Sequence, residues 1–87
     1  MYYVYLLRLE NGEVYTGYSK HLRERIARHM RGTTKFTTDH PPKALIFYAA
    51  FEAKQLALSF ERYLKSSSGK AFRNKHLVDG RGSVAQR

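Results

Sequence analysis

Hydrophobic and polar positions change their period several times along the chain, and each change marks an element. Residues 2–8 (YYVYLLR) are dense in aromatic and branched side chains, and residues 14–18 (VYTGY) repeat that character. Glu10-Asn11-Gly12 between them is a strong turn signal, so the two runs predict a β-hairpin. Leu22, Ile26 and Met30 then recur every four residues. That spacing predicts an amphipathic helix over about residues 20–31, capped by Ser19 and closed by Gly32. A polar loop over residues 33–43 contains Pro41-Pro42, and residues 44–51 (ALIFYAAF) predict a third strand. Residues 53–65 predict a second helix with Leu56, Ala57, Phe60 and Leu64 as its apolar face. Ser66-Ser67-Ser68-Gly69 predicts a break before a short basic helix over residues 70–76. The order ββαβαα implies an α+β fold, a three-stranded antiparallel sheet with flanking helices, in one domain over residues 1–78. Residues 79–87 have little to bury and are expected to form a flexible tail.

The hairpin admits two registers. A two-residue Asn11-Gly12 turn pairs Glu10 with Glu13 and Tyr5 with Tyr18, placing Tyr5 and Tyr15 on opposite faces. A three-residue loop with Gly12 in the left-handed bulge position pairs Leu9 with Glu13, Leu7 with Tyr15 and Tyr5 with Gly17. Both tyrosines then share a face. Turn statistics favour the shorter loop slightly, and Asn-Gly suits either.

Composition narrows the function. Eighty-seven residues allow one small core, burying roughly 60–65% of the unfolded surface. There is no cysteine, which removes disulfides, thiolate metal sites and a cysteine nucleophile. No apolar run is long enough for a membrane span and no signal-peptide core follows Met1, so a soluble, cytoplasmic protein is expected. Sixteen Lys and Arg against seven Asp and Glu give a formal charge of +9. So large a surplus disfavours the compact state by self-repulsion, and a polyanion relieves it. Nucleic acid is the partner this charge points to, ahead of an anionic membrane.

Several side chains could carry chemistry. His21, Arg25 and His29 repeat every four residues beside the apolar stripe of the first helix. They form either an exposed basic stripe or a set of cations reaching into a cleft against the sheet. Glu61 falls among Ala57, Phe60 and Leu64, where a carboxylate is costly unless it is paired or bound to metal. A structural ion pair, with Arg25 as one partner, and a Mg²⁺ site are equal readings of it. One carboxylate suffices for Mg²⁺, which keeps waters and substrate phosphates as its other ligands. The four histidines lack zinc-site spacing, and neither a Gly-rich phosphate loop nor a serine-elbow motif is present. Tyr2, Tyr48 and Tyr63 read as packing or surface residues.

Taken together, these positions resemble the GIY-YIG nuclease superfamily. Tyr3-Val4-Tyr5 stands at the first motif and Tyr15-Thr16-Gly17 at the second, with Tyr3 in place of the first glycine and Thr16 in place of isoleucine. Arg25 matches the family's helical arginine, His29 a frequent histidine, and residues 57–65 (ALSFERYLK) the segment with the metal-binding glutamate. Similarity runs from about Tyr2 to Leu77 and is greatest to small single-domain bacterial members related to the excision-repair endonuclease subunit.

The resemblance implies a Mg²⁺- or Mn²⁺-dependent endonuclease acting on DNA, in repair or processing. Glu61 would be the metal ligand and Tyr5, Tyr15, Arg25 and His29 the catalytic set. Tyr5, more than Tyr15, is expected to take the proton of the attacking water. Lys20, Arg23, Arg28 and Lys35 are expected to contact nucleic acid, and Asn74 matches a phosphate-contacting asparagine of some relatives. Relatives take specificity from an attached domain, so a protein partner could supply it here. The alternative is a non-catalytic nucleic-acid-binding module of the same fold.

Overall fold

The computed structural model describes residues 1–32, 34 and 39–78. Among the described residues the strands and the longer helices follow in the expected order: β1 (Tyr2–Leu9), β2 (Val14–Ser19), α1 (Leu22–Met30), β3 (Pro42–Phe51), α2 (Lys54–Lys65) and α3 (Ser67–His76). All pairings are antiparallel, in the order β2-β1-β3, so β1 is the central strand. That position explains its composition. Val4, Tyr5, Leu6, Leu7 and Leu9 are all buried, because both faces of β1 are covered.

Alternation along β1 divides the interior in two. Val4 and Leu6 pack with Ala57 and Leu64 of α2, with Phe51 and Phe60 at the margin. Tyr5, Leu7 and Leu9 pack on the other face with Tyr15, Leu22, Ile26 and Leu45. The sheet is therefore sandwiched between α1 and α2.

The hairpin takes the three-residue loop. Tyr5 pairs with Gly17 and Leu7 with Tyr15, and the Leu9 N–H donates to the Glu13 carbonyl at 2.8 Å. Gly12 has φ of 90°, the left-handed bulge conformation that a side chain resists. Asn11 reinforces the turn by accepting from the Glu13 N–H at 2.9 Å. Two-residue turn statistics lose here to a register that buries the alternate residues of both strands correctly.

Element ends differ from expectation for local reasons. Ser19 ends β2, and its hydroxyl accepts from the His21 N–H at 3.0 Å; α1 begins only at Leu22, with no side-chain cap of its own. Gly32, at φ of 71°, closes that helix as expected. β3 begins at Pro42 rather than residue 44, because an edge strand tolerates a missing donor at its start. The serine run caps rather than breaks. Ser66 alone is non-helical, its hydroxyl accepting from the Gly69 N–H at 3.1 Å while donating to the Tyr63 carbonyl at 2.6 Å. Two expected core residues face solvent: Met30 is 44% exposed and Leu56 is 60% exposed. The expected tail, residues 79–87, lies outside the described residues. No described helix is long and apolar enough to cross a membrane.

Candidate active site

The site grows from the Tyr5–Gly17 pairing. A methyl group at position 17 would collide with the end of the Tyr5 ring, including Cε1 at 2.8 Å. The glycine is thus a seat over which the phenol lies. This lets an aromatic side chain on the central strand reach across β2 while remaining fully buried. Tyr15 is on the same face, its ring centroid 6.3 Å from that of Tyr5.

α1 completes the cluster. His29 occupies the core-facing position that the apolar pattern assigned to Met30, and it is 1% exposed. Its Nε2 is hydrogen-bonded to the Tyr5 hydroxyl at 2.9 Å, and its Nδ1 lies 3.3 Å from the Thr34 hydroxyl. The imidazole ring also packs 5.3 Å from the ring of Tyr15. The His21-Arg25-His29 stripe therefore splits: His21 is exposed, Arg25 half-buried and His29 enclosed.

Electrostatics follow from this enclosure. Burial lowers the pKa of His29, and the positive charges of Arg25 and Arg28 lower it further, so the imidazole is held neutral. A neutral imidazole protonated on Nδ1 accepts the Tyr5 proton at Nε2. The Tyr5 phenol is pushed well above its ordinary range, first by burial, then by Tyr15, with Glu61 adding to the shift and Arg25 opposing it. Burial argues against the sequence expectation that Tyr5, rather than Tyr15, takes the proton of water. Its hydroxyl is enclosed and already engaged by His29. Tyr15 is only half-buried.

Glu61 lies on α2 with its side chain 18% exposed, and its Oε2 is 3.0 Å from Nζ of Lys65 one turn along. Among the described residues Glu61 is thus ion-paired with Lys65, where the sequence suggested Arg25. Lys65 is 55% exposed, and such a pair contributes roughly 0.3–0.5 kcal/mol. Among the described residues no three His, Asp or Glu side chains group to hold a metal. The donor set nevertheless fits a hard, largely hydrated cation with one carboxylate ligand, since the partner of Glu61 among the described residues is an exposed lysine holding one of its oxygens, and the carboxylate charge reaches the Tyr5 hydroxyl.

Of the expected nucleic-acid contacts, Lys20, Arg23 and Arg28 are exposed around α1. Asn74 lies elsewhere, on α3, where it accepts from Nε of Arg73 at 3.3 Å and lines a groove with Arg8 and Lys70. None of the tyrosines, Arg25, His29 or Glu61 lines that groove. Lys35 lies outside the described residues. Two participants had no site role assigned from sequence, although Gly17 was paired with Tyr5 in one register and stood in the second motif. Gly17 had a signal, a glycine inside a strand pattern, whereas Thr34 sits in a loop with no periodicity to mark it.

Comparison with known proteins bears on this arrangement. The family described as the GIY-YIG catalytic domain matches residues 1–76. A UPF0213 protein of Clostridium perfringens is 37% identical over 78 residues, covering 88% of this chain and 80% of that protein. A UPF0213 protein of Staphylococcus saprophyticus is 34% identical over 68 residues, covering 77% of this chain and 83% of its own. The solution NMR structure of a UPF0213 protein from Bacillus halodurans superposes with a TM-score of 0.55 at 33% identity, covering 86% of this chain and 84% of that one.

Proposed function

Because the chain belongs to the GIY-YIG catalytic-domain family, a family of nucleases, we propose that it is a divalent-metal-dependent endonuclease hydrolysing phosphodiester bonds of DNA, in repair or processing. The observation that carries this reading is the Tyr15–Tyr5–His29 cluster, its Tyr5 and His29 buried and its Tyr15 half-buried, with Arg25 and Glu61 acting on it. A core gains nothing from two phenols, an imidazole and a guanidinium that apolar side chains would not supply at lower desolvation cost.

Glu61 is the side chain that would hold Mg²⁺ or Mn²⁺, which when bound supplies Lewis-acid stabilisation of the phosphate oxygens. Arg25 adds a fixed positive charge beside the phosphoryl group as it gains negative charge. Water attacks phosphorus in line as the opposite P–O bond breaks, the leaving sugar oxygen taking a proton from solvent while Tyr15, the more accessible phenol, receives the proton of the attacking water. A phenol of ordinary acidity is a poor base near neutrality, so Tyr15 must pass its own proton on. Tyr5 is the next oxygen in line and His29 Nε2 the next nitrogen, ending the relay on a histidine held neutral beforehand.

The test is cleavage of supercoiled, linear, single-stranded and branched DNA, and of RNA, in Mg²⁺ and Mn²⁺. Glu61→Ala and Arg25→Ala are expected to lower the rate at least a hundredfold, Tyr15→Phe similarly, and EDTA to abolish cleavage. Cleavage that persists in EDTA or in Glu61→Ala overturns the metal mechanism. Salt-sensitive binding without cleavage of any substrate would instead identify a binding module of the same fold.

A further inference from the structure

The sheet face that carries Tyr5 continues past the catalytic cluster. Tyr48 lies directly opposite Tyr5 on β3, and Ala50 lies opposite Tyr3, so Tyr3 and Tyr48 form a diagonal pair on that face. Their rings meet edge to face, with centroids 6.5 Å apart and planes at 60°. An edge-to-face pair leaves one ring face uncovered. Tyr48 accordingly remains 55% exposed, although its neighbour across the strand, Tyr5, is completely buried. Of the two sequence-based readings of Tyr48, packing or surface, the structure gives the surface one, and a surface tyrosine contributes little to the core.

An open cleft of about 650 Å³ separates this pair from the start of α1. Lys20 and Arg23 line it, with Glu24 as its acidic member. Lys20 Nζ stands 5.7 Å from the centre of the Tyr2 ring, which holds the ammonium at the sheet edge bordering the cleft. The cleft thus has an aromatic floor and cations on its rim, and it is joined to the proposed reaction centre through Tyr48, the partner of Tyr5 across the sheet. Inside a duplex both faces of a base are covered by its neighbours, so an aromatic floor gains nothing from paired DNA. An unpaired base offers a free π-face, and its flanking phosphates offer charge to lysine and arginine.

We propose that Tyr3 and Tyr48 form a stacking platform for one unpaired nucleobase, with Lys20 and Arg23 meeting its flanking phosphates. The substrate class is then nucleic acid with an unpaired nucleotide beside the scissile bond. The reference to a scissile bond rests on the nuclease reading, whereas the platform itself requires only binding.

The experiment uses Glu61→Gln protein, so that cleavage does not interfere, and two DNA duplexes at one fixed salt concentration. One carries a single unpaired 2-aminopurine and the other is fully matched. Fluorescence anisotropy is expected to show tighter binding of the unpaired duplex, with quenching of 2-aminopurine as it stacks. Adding Tyr48→Thr, which keeps a β-branched residue in the strand, should weaken binding to the unpaired duplex about tenfold and abolish the quench. Binding to the matched duplex should stay within twofold, and Tyr48→Phe should retain both signals. Equal affinity for the two duplexes, or a quench unchanged in Tyr48→Thr, would overturn the platform. Absence of cleavage by the wild-type protein bears on the nuclease reading alone, because the platform is read from binding.

Discussion

At His29, burial and two guanidiniums act in the same direction, and the consequence is a measurable pH dependence of stability. The folded protein holds the imidazole neutral, whereas the unfolded chain protonates it near pH 6.5. The unfolded state therefore binds more protons on the acid side. The stability associated with neutral His29 is present in full above pH 6.5 and is lost as pH falls through the lowered folded value. Tyr5 gives the opposite sign at the other end. Its folded pKa is raised, so its contribution is complete below pH 10.0 and declines as pH rises beyond it. Thermal unfolding from pH 5 to 11 should show both losses. His29→Gln should flatten the acid limb and Tyr5→Phe the alkaline one. An acid limb unchanged in His29→Gln would mean that the imidazole is not held neutral. The residue scale also contains an uncompensated cost. Thr16, which stands where the family motif has isoleucine, is 5% exposed and its Oγ1 has no hydrogen-bond partner among the described residues.

At the scale of elements, the hairpin decides whether a site exists. Its two glycines do different work, and substitution separates them. Gly12 has φ of 90°, and beyond its chain neighbours no atom of the described residues lies within 4 Å of an added Cβ, so the cost of alanine there is backbone strain. Gly12→Ala should cost about 1 kcal/mol and leave activity nearly intact. Gly17 has ordinary backbone angles but no space, because the Tyr5 ring occupies the position of its Cβ. Gly17→Ala should cost roughly 1–3 kcal/mol by overpacking and should also displace the Tyr5 hydroxyl from His29. Urea unfolding and a cleavage assay on both variants check this. Comparable activity in the two variants would remove Gly17 from the site. α1 is placed by the same register, since Leu22 and Ile26 pack onto the face that Leu7 and Tyr15 share.

For the whole molecule, charge is the controlling quantity. The formal charge of +9 leaves a surplus that no internal ion pairing could neutralise, with seven acidic residues against sixteen basic ones. Each phosphate neutralised releases condensed counterions, so binding should weaken steeply with salt. If Lys20, Arg23, Arg25 and Arg28 form the footprint, a plot of log affinity against log salt should have a slope of about −3. Arg23→Ala should make that slope shallower by about 0.7–0.9. A slope near zero, measured by titration at several salt concentrations, would refute an electrostatic footprint.

Element order, the sheet and the excess of basic charge were legible in the chain, while Tyr5, Tyr15, Arg25, His29 and Glu61 stood together as candidates through the family resemblance. Periodicity and charge are local or additive properties, and a linear sequence carries both. The hairpin register was not legible, because Asn-Gly serves two loop lengths and only packing against both helices selects one. The sequence likewise could not tell Met30 from His29 as the inward residue of α1. Helical spacing permits either, and the polar partners Tyr5 and Thr34 make the histidine the one that can be buried without loss. Tyr48 read as a packing or surface residue for the same reason. Its meaning depends on what lies opposite and beside it, and those neighbours come from strands and a helix that meet only in the folded chain.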